Sequence, residues 1–184
     1  MITRTLLAFF LVLFVGPTFI SEASTLQKRD HLTTQEVDLV KEAQALDKRI
    51  DIFIKAAERR MLVINGSSAA NAKQLKKDAE RWGELPSGSR AELVSDIAHI
   101  LDEAITNIDD VSSRDERNPL ISKSLRKLAN SVNTIMTQLK PISAEAKSEA
   151  EVASFELLNE DAQSILEAVG KLPPEVEKKA KKNK

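Results

Sequence analysis

The sequence predicts an all-α fold, an antiparallel helical bundle of four to five helices after a cleaved signal peptide. Apolar residues recur at steps of three and four in five separate stretches, and this spacing keeps one side of an α-helix apolar. Loops of about two to seven residues join these stretches, which favours antiparallel neighbours. No stretch alternates apolar and polar residues with β-branched character, so no strand is predicted.

Residues 1–23 have the pattern of a secretory signal peptide. Arg4 supplies a positive charge, residues 6–15 are an unbroken apolar run, and small residues precede a cleavage point after Ala23. The alternative is an uncleaved membrane anchor, which needs roughly 20 apolar residues. Because Pro17 and Glu22 leave the apolar run short, we expect cleavage after Ala23 and no stable membrane insertion afterwards.

Residues 24–172 are predicted to form one helical bundle domain, and residues 173–184 a disordered basic tail. The chain has no Cys, so an exported domain would be held by packing alone. Such a domain is more typical of the bacterial envelope or periplasm than of small secreted eukaryotic proteins. The net charge of −1 indicates no general attraction to nucleic acid. For the Lys-rich tail, a solvated extension is favoured over a weak contact with anionic surfaces.

The longest apolar stripe predicts one uninterrupted helix over residues 33–64. Thr33 and Glu36 have the spacing of a capping box, in which each side chain bonds the other residue's backbone N–H. The stretch contains neither Gly nor Pro, and Gly66 just beyond it is typical of a helix end. The stripe is formed by Leu39, Ala43, Leu46, Ile50, Phe53, Ala57, Met61 and Ile64.

Two further helices have clear start signals. Ser67 and Ser68 can cap a short helix whose stripe ends at Trp82, which is interpreted as a core or core-edge residue rather than a partner anchor. Ser89 begins a third helix with a second capping box. The polar run of residues 112–118 follows that helix and is predicted to be a surface loop.

The last two predicted helices flank Pro141. Asn118 and Pro119 are the residue types that favour the cap and the first turn of a fourth helix. Pro141 is expected to stop or kink that helix, because it lacks a backbone N–H. A fifth helix is predicted from about Ser143 to Gly170.

The long first helix carries a second apolar face, about 120° from the centre of the first. A surface helix needs only one apolar face, so the second must be covered by something. Either the helix lies centrally and packs on two sides within its own bundle, or this face meets a partner or a second copy of the chain. Central packing is favoured. The second face is formed by Ala45, Ile52, Ala56 and Val63.

The third helix places the candidate metal ligands Asp96, His99 and Glu103 on one face, three and four residues apart. A di-metal site in a helical bundle needs Glu-x-x-His pairs on two helices, and no second helix matches. A solvated helix face is therefore favoured, and neither a metal nor a cofactor is predicted. Arg59 and Arg60 could hold an anionic ligand, but their position near the helix C-terminus explains them without one.

The sequence offers no catalytic motif. Without Cys there is no thiol nucleophile, and the five Gly form no phosphate-binding loop. We therefore expect a non-enzymatic protein of the bacterial envelope, periplasmic or secreted, that acts by protein–protein interaction or self-association. The alternatives are a periplasmic chaperone or stress sensor and a metal-binding helical bundle. Residues 32–35 are similar to the Leu-Thr-x-x-Gln signature of small periplasmic stress chaperones, but Gln35 comes one position early and four residues assign no family.

Overall fold

The computed structural model describes residues 29–67 and 69–174, so the predicted signal peptide and residues 175–184 of the predicted tail lie outside the described residues. Its helices are α1 (Thr34–Glu42), α2 (Leu46–Ile64), α3 (Ala72–Trp82), α4 (Arg90–Arg114), α5 (Pro119–Ser143) and α6 (Glu149–Gly170). The prediction of an all-α fold is confirmed, with six helices and no strand in the described part of the chain. None of these six helices is long and apolar enough to cross a membrane.

Helices α2, α4, α5 and α6 pack around one apolar core. Helix α4 packs most extensively against α6 and α2, and α5 packs against the same two helices from the other side. The core is aliphatic with few aromatic rings, and among its fully buried members are Ile50, Phe53, Ile97, Leu101, Leu128, Leu158 and Ile165. Helices α1 and α3 flank α2, where Leu39, Ile52 and Trp82 form a second, smaller apolar cluster.

The neighbouring helices are not all antiparallel, which corrects the prediction. Lys123 on α5 donates to Asp47 on α2 at 2.7 Å, and one turn further along both helices Lys127 donates to Asp51. Helices α2 and α5 therefore run in the same direction. Short loops join α4 to α5 and α5 to α6, so each of these pairs is antiparallel, and α4 and α6 consequently run in parallel.

The predicted helix over residues 33–64 is wrong in one respect, because the chain breaks it at Ala43–Ala45. In one straight helix Glu36 and Arg59 would lie about 35 Å apart, at a rise of 1.5 Å per residue. In the structure Arg59 Nε donates to Glu36 Oε1 at 3.1 Å, so α1 folds back along α2. The guanidinium of Arg49 bonds the carbonyl left free at Ala43, from both Nε and Nη2 at 3.2 Å.

Some of the predicted helix boundaries are confirmed and others are wrong. Both capping boxes form, at Thr33 and at Ser89, and the side chain of Asn118 caps α5. The predicted serine cap of the second helix is wrong, because α3 begins after Asn71. Helix α4 extends to Arg114, into the predicted loop of residues 112–118.

Pro141 does not stop α5 where the sequence suggests. The helix continues to Ser143. Pro141 lies in its last turn, so the backbone hydrogen bond that proline cannot donate is missing only two residues before the helix ends. Helix α6 starts six residues later than predicted, at Glu149, with the side chain of Ser148 accepting a bond from the Glu151 N–H.

Candidate functional site

A buried ionic cluster, formed by Glu36, Arg59 and Arg60, joins α1 to α2. The Glu36 side chain is 0% exposed, and Arg59 and Arg60 are each 1% exposed. Both guanidinium groups bond Glu36 Oε1, from Arg59 Nε at 3.1 Å and from Arg60 Nη1 at 2.7 Å. The other oxygen of Glu36 accepts the Thr33 N–H at 2.9 Å, so one carboxylate serves both the capping box and the two cations.

Arg59 also fixes the end of α3. Its Nη2 donates to the carbonyls of Trp82 at 3.0 Å and Gly83 at 3.3 Å, and its Cζ lies 5.7 Å from the centroid of the Trp82 ring. Burial lowers the pKa of Arg59 from its ordinary value, and the charge and hydrogen bond of Glu36 oppose that decrease. The helix dipole alone therefore does not account for Arg59 and Arg60, because both are buried and both bond Glu36.

The candidate metal ligands Asp96, His99 and Glu103 do not share a common site. Asp96 accepts bonds from Arg29, at 2.8 Å to Nη2, and Glu103 lies 2.8 Å from His31 Nε2. His99 is exposed, and its ring centroid lies 5.7 Å from that of His31. Within residues 29–67 and 69–174, no group of three or more His, Asp or Glu side chains is placed to hold a metal ion.

The predicted partner face is divided by the fold. Ile52 is buried against Leu39 and Trp82, and Ala56 lies in the main core. Ala45 is exposed at the N-cap of α2, and Val63 is half-buried near the other end. The chain itself thus covers the centre of this face, and contact of the two ends with a partner stays a prediction.

A groove of about 520 Å³ lies between α2, α3 and α5, and we call it the α3 groove. No local sequence signal predicts this groove, because its walls come from three separate helices. Its apolar floor is formed by Met61, Leu62, Leu75 and Ile135. Its polar rim carries amides and a hydroxyl, from Asn65, Asn71, Gln74, Asn130, Thr134 and Gln138.

Helix α3 stands away from the bundle and forms the outer wall of the α3 groove. Among the described helices, its backbone comes close only to that of α1. Trp82 is its one buried residue, while Leu75 is half-buried and Ala79 is exposed. On the groove side, Lys55 Nζ on α2 lies 3.9 Å from Asp78 Oδ2. The part of α3 before Trp82 thus makes few contacts, which favours its local opening at low free-energy cost.

A second, apolar groove runs along the outer side of α5 and α6, and we call it the α5–α6 groove. It consists of two adjoining depressions of about 370 and 570 Å³ that share Met136 and Asn159. Its apolar residues are Met136, Leu139, Phe155, Leu158, Ala162 and Leu166. Lys140 lies at one end of it and Glu167 at the other, and both are exposed.

One carboxyl group in the interface of α4 and α6 is unfavourably placed. Asp161 Oδ2 is buried without a hydrogen-bond partner. Burial raises the pKa of Asp161 to about 6, and the neighbouring charges of Asp102 and Glu160 add to the rise. Because the folded state binds this proton more tightly than the unfolded state, ionisation of Asp161 destabilises the fold as the pH rises from about 4 to 6.

We therefore expect Asp161→Asn to raise the free energy of unfolding at pH 7 by about 1–2 kcal/mol, a value reduced for the partial exposure of the group. The gain should shrink towards pH 4, where the folded protein already carries the proton. Urea unfolding at pH 4, 5, 6 and 7 measures it, with Glu156→Gln on the same helix as an exposed control. A gain that does not vary with pH would contradict this assignment.

Comparison of the chain with protein-family models, with curated proteins and with solved structures gives no match. The functional proposals for this chain consequently rest on the geometry of its grooves and of its buried charges.

Proposed function

We propose that this chain is an exported, non-enzymatic protein of the bacterial envelope that binds a protein partner in the α3 groove. The observation that carries the proposal is the groove itself. Its volume of about 520 Å³ lies within the range of binding sites, and it combines an apolar floor with a polar rim. Because α3 is anchored mainly at its Trp82 end, the rest of this wall would let the groove widen as a partner enters.

The charged groups of the α3 groove support binding more than chemistry. Lys55 Nζ lies 4.0 Å from Glu58 Oε2 and 3.9 Å from Asp78 Oδ2. With Arg59 as the second cation, the charges that line the groove sum to zero. Arg59 also lines the groove, and Glu36 and the carbonyls at the end of α3 occupy its Nε and Nη2 donors. The remaining rim offers neutral amides and hydroxyls, which recognise hydrogen-bonding groups without transferring protons.

The partner should co-purify with the protein from the envelope of the producing cell and be lost when the groove floor is made charged. Leu75→Asp places a carboxylate in that floor at a half-buried position, so α3 can carry it without unfolding the bundle. Val152→Asp is the matched control, because Val152 is 42% exposed on α6. The measurement is the native mass of the complex and the melting temperature of each variant. Retention of the partner by Leu75→Asp would contradict the proposal.

Self-association is a second candidate, favoured by the α5–α6 groove. A two-fold axis across the groove would bring the apolar residues of two copies together and place Lys140 of each copy near Glu167 of the other. Such an isologous contact has complementary charge at both ends, which is what recognition of a second copy requires.

Charge exchange tests this dimer. Lys140→Glu should weaken self-association by roughly tenfold, because each end would then oppose two carboxylates. Adding Glu167→Lys to the same chain should restore it, since the two charges are merely exchanged. Sedimentation equilibrium at several concentrations measures the dissociation constant. A parent protein that stays monomeric at millimolar concentration would contradict the dimer, as would a double variant no tighter than the single one.

A further inference from the structure

The α5 wall of the α3 groove carries a regular series of hydrogen-bonding side chains. Asn130, Thr134 and Gln138 follow one another at intervals of four residues and all line the groove, and we call them the amide ladder. Thr134 Oγ1 donates to the Asn130 carbonyl at 3.0 Å, so its oxygen remains an acceptor towards the groove. Asn130 lies on the same side with an exposed carboxamide, which offers both donors and an acceptor.

The spacing of the amide ladder matches that of an extended polypeptide. Residues four apart on a helix are separated by about 6 Å along its axis. In an extended strand, backbone groups that point to the same side recur every two residues, about 6.6 Å apart. Three rungs can therefore meet three successive peptide groups on one edge of a strand, with a mismatch of about 1 Å.

The far end of the groove shows that its amides can bond across it. Asn65 Nδ2 at the end of α2 donates to Gln138 Oε1 at 3.1 Å, which leaves the NH₂ group of Gln138 as a donor. The two cations and two carboxylates that line the groove sum to zero charge, so a ligand with a net charge gains no overall attraction. A neutral ligand rich in donors and acceptors suits this rim best, and the polypeptide backbone is such a ligand.

We propose that the α3 groove binds a segment of a partner protein in extended conformation, by its backbone, through the amide ladder. This inference rests on the proposed function, because it names the kind of ligand that the same groove takes. Apolar side chains on one side of the segment would rest on Met61, Leu62 and Ile135, and those on the other side would face solvent or α3. Recognition of this kind selects extended, uncharged segments more than a particular sequence.

Two matched peptides test the inference on the full-length protein. The probe is the acetylated and amidated heptapeptide Ser-Val-Ser-Val-Ser-Val-Ser, and its twin is N-methylated at every residue, so that neither edge of the strand carries an N–H group. The twin keeps the side chains but lacks the N–H groups that the ladder would bind. By isothermal titration calorimetry we expect the probe to bind with a dissociation constant of about 1 mM or lower, and the twin roughly tenfold or more weakly, since several hydrogen bonds are lost together.

Protein variants test whether the probe peptide binds at the amide ladder. Asn130→Leu combined with Gln138→Leu should weaken probe binding by a similar roughly tenfold factor. Asn133→Leu is the matched control, because it removes an exposed amide from the same helix but on the side of the α5–α6 groove, and it should leave binding unchanged within about twofold. Equal binding of the two peptides, or no binding of the probe to the parent, would overturn the inference.

The outcome separates this inference from the proposed function. If Leu75→Asp abolishes partner binding but N-methylation of the probe has no effect, the groove binds a partner in some other way and backbone recognition is wrong. If Leu75→Asp leaves the partner bound while the amide ladder discriminates between the peptides, the ladder binds extended segments but the native partner docks elsewhere.

Discussion

Replacing Glu36 with Gln should lower the free energy of unfolding by about 3–5 kcal/mol, the cost typical of removing one partner from a buried ion pair. The variant retains an oxygen for the Thr33 N–H, so the capping box survives and the change isolates the charge. Arg59 and Arg60 would then be buried without their shared carboxylate, although each is only 1% exposed. Urea unfolding followed by far-ultraviolet circular dichroism measures the loss.

Glu42→Gln is the matched control for this experiment. Glu42 lies on the same helix and is exposed, so its replacement should change stability by no more than about 0.5 kcal/mol. A second readout is tryptophan fluorescence, because Arg59 links Glu36 to the Trp82 carbonyl and ring. If Glu36→Gln were as stable as Glu42→Gln, the buried cluster would not hold α1 and α3 in place.

Ile52→Glu should be the other severely destabilising change, with a loss of more than about 4 kcal/mol or failure to fold. Ile52 is 6% exposed and packs between Leu39 of α1 and Trp82 of α3, where a carboxylate would have apolar neighbours. Thermal unfolding of the variant checks the expectation. Val152→Glu, at the exposed valine of α6, introduces the same charge and should melt close to the parent.

The result also decides between the two interpretations of the second apolar face. Loss of folding would mean that Ile52 serves the interior of its own chain. A variant that melts normally but loses a dimer or a bound partner would show instead that this part of α2 is an interaction surface. A variant unchanged in both melting and native mass would contradict both interpretations.

Local sequence signals account for much of the fold. The capping boxes at Thr33 and Ser89 and the Asn118 cap involve residues two or three apart, so a single stretch contains all the necessary information. Apolar periodicity likewise located the buried faces of α4 and α5, because each faces one continuous core.

The break between α1 and α2 could not be predicted in the same way. No Gly or Pro marks residues 43–45. The folded-back arrangement is instead held by bonds of Glu36 with Arg59 and Arg60, which are far from it in the sequence. One signal was available: Arg60 stands three and four residues from Ala57 and Ala56, on the apolar side of the helix. A base in such a position must find a buried partner or leave the core.

The α3 groove could not be predicted from the sequence for a related reason. The apolar stripe of α3 is only partly buried, because Leu75 is half-buried and Ala79 is exposed. One signal was available: α3 is short, and its apolar stripe has few neighbouring residues that could bury it. Such a helix indicates an open site. The position of Thr134 and Gln138 opposite α3 depends on the parallel arrangement of α2 and α5, which loop lengths do not reveal.

The most direct test of binding in the α3 groove is site-specific photo-crosslinking. Because the chain has no Cys, Thr134→Cys and Ser113→Cys each provide a single attachment point for a benzophenone maleimide. Thr134 lines the groove, whereas Ser113 is exposed at the far end of α4. On irradiation with envelope extract from the producing cell, the account predicts one adduct of defined mass from position 134 and none from position 113. Absence of any adduct at position 134, or the same adducts from both positions, would contradict it.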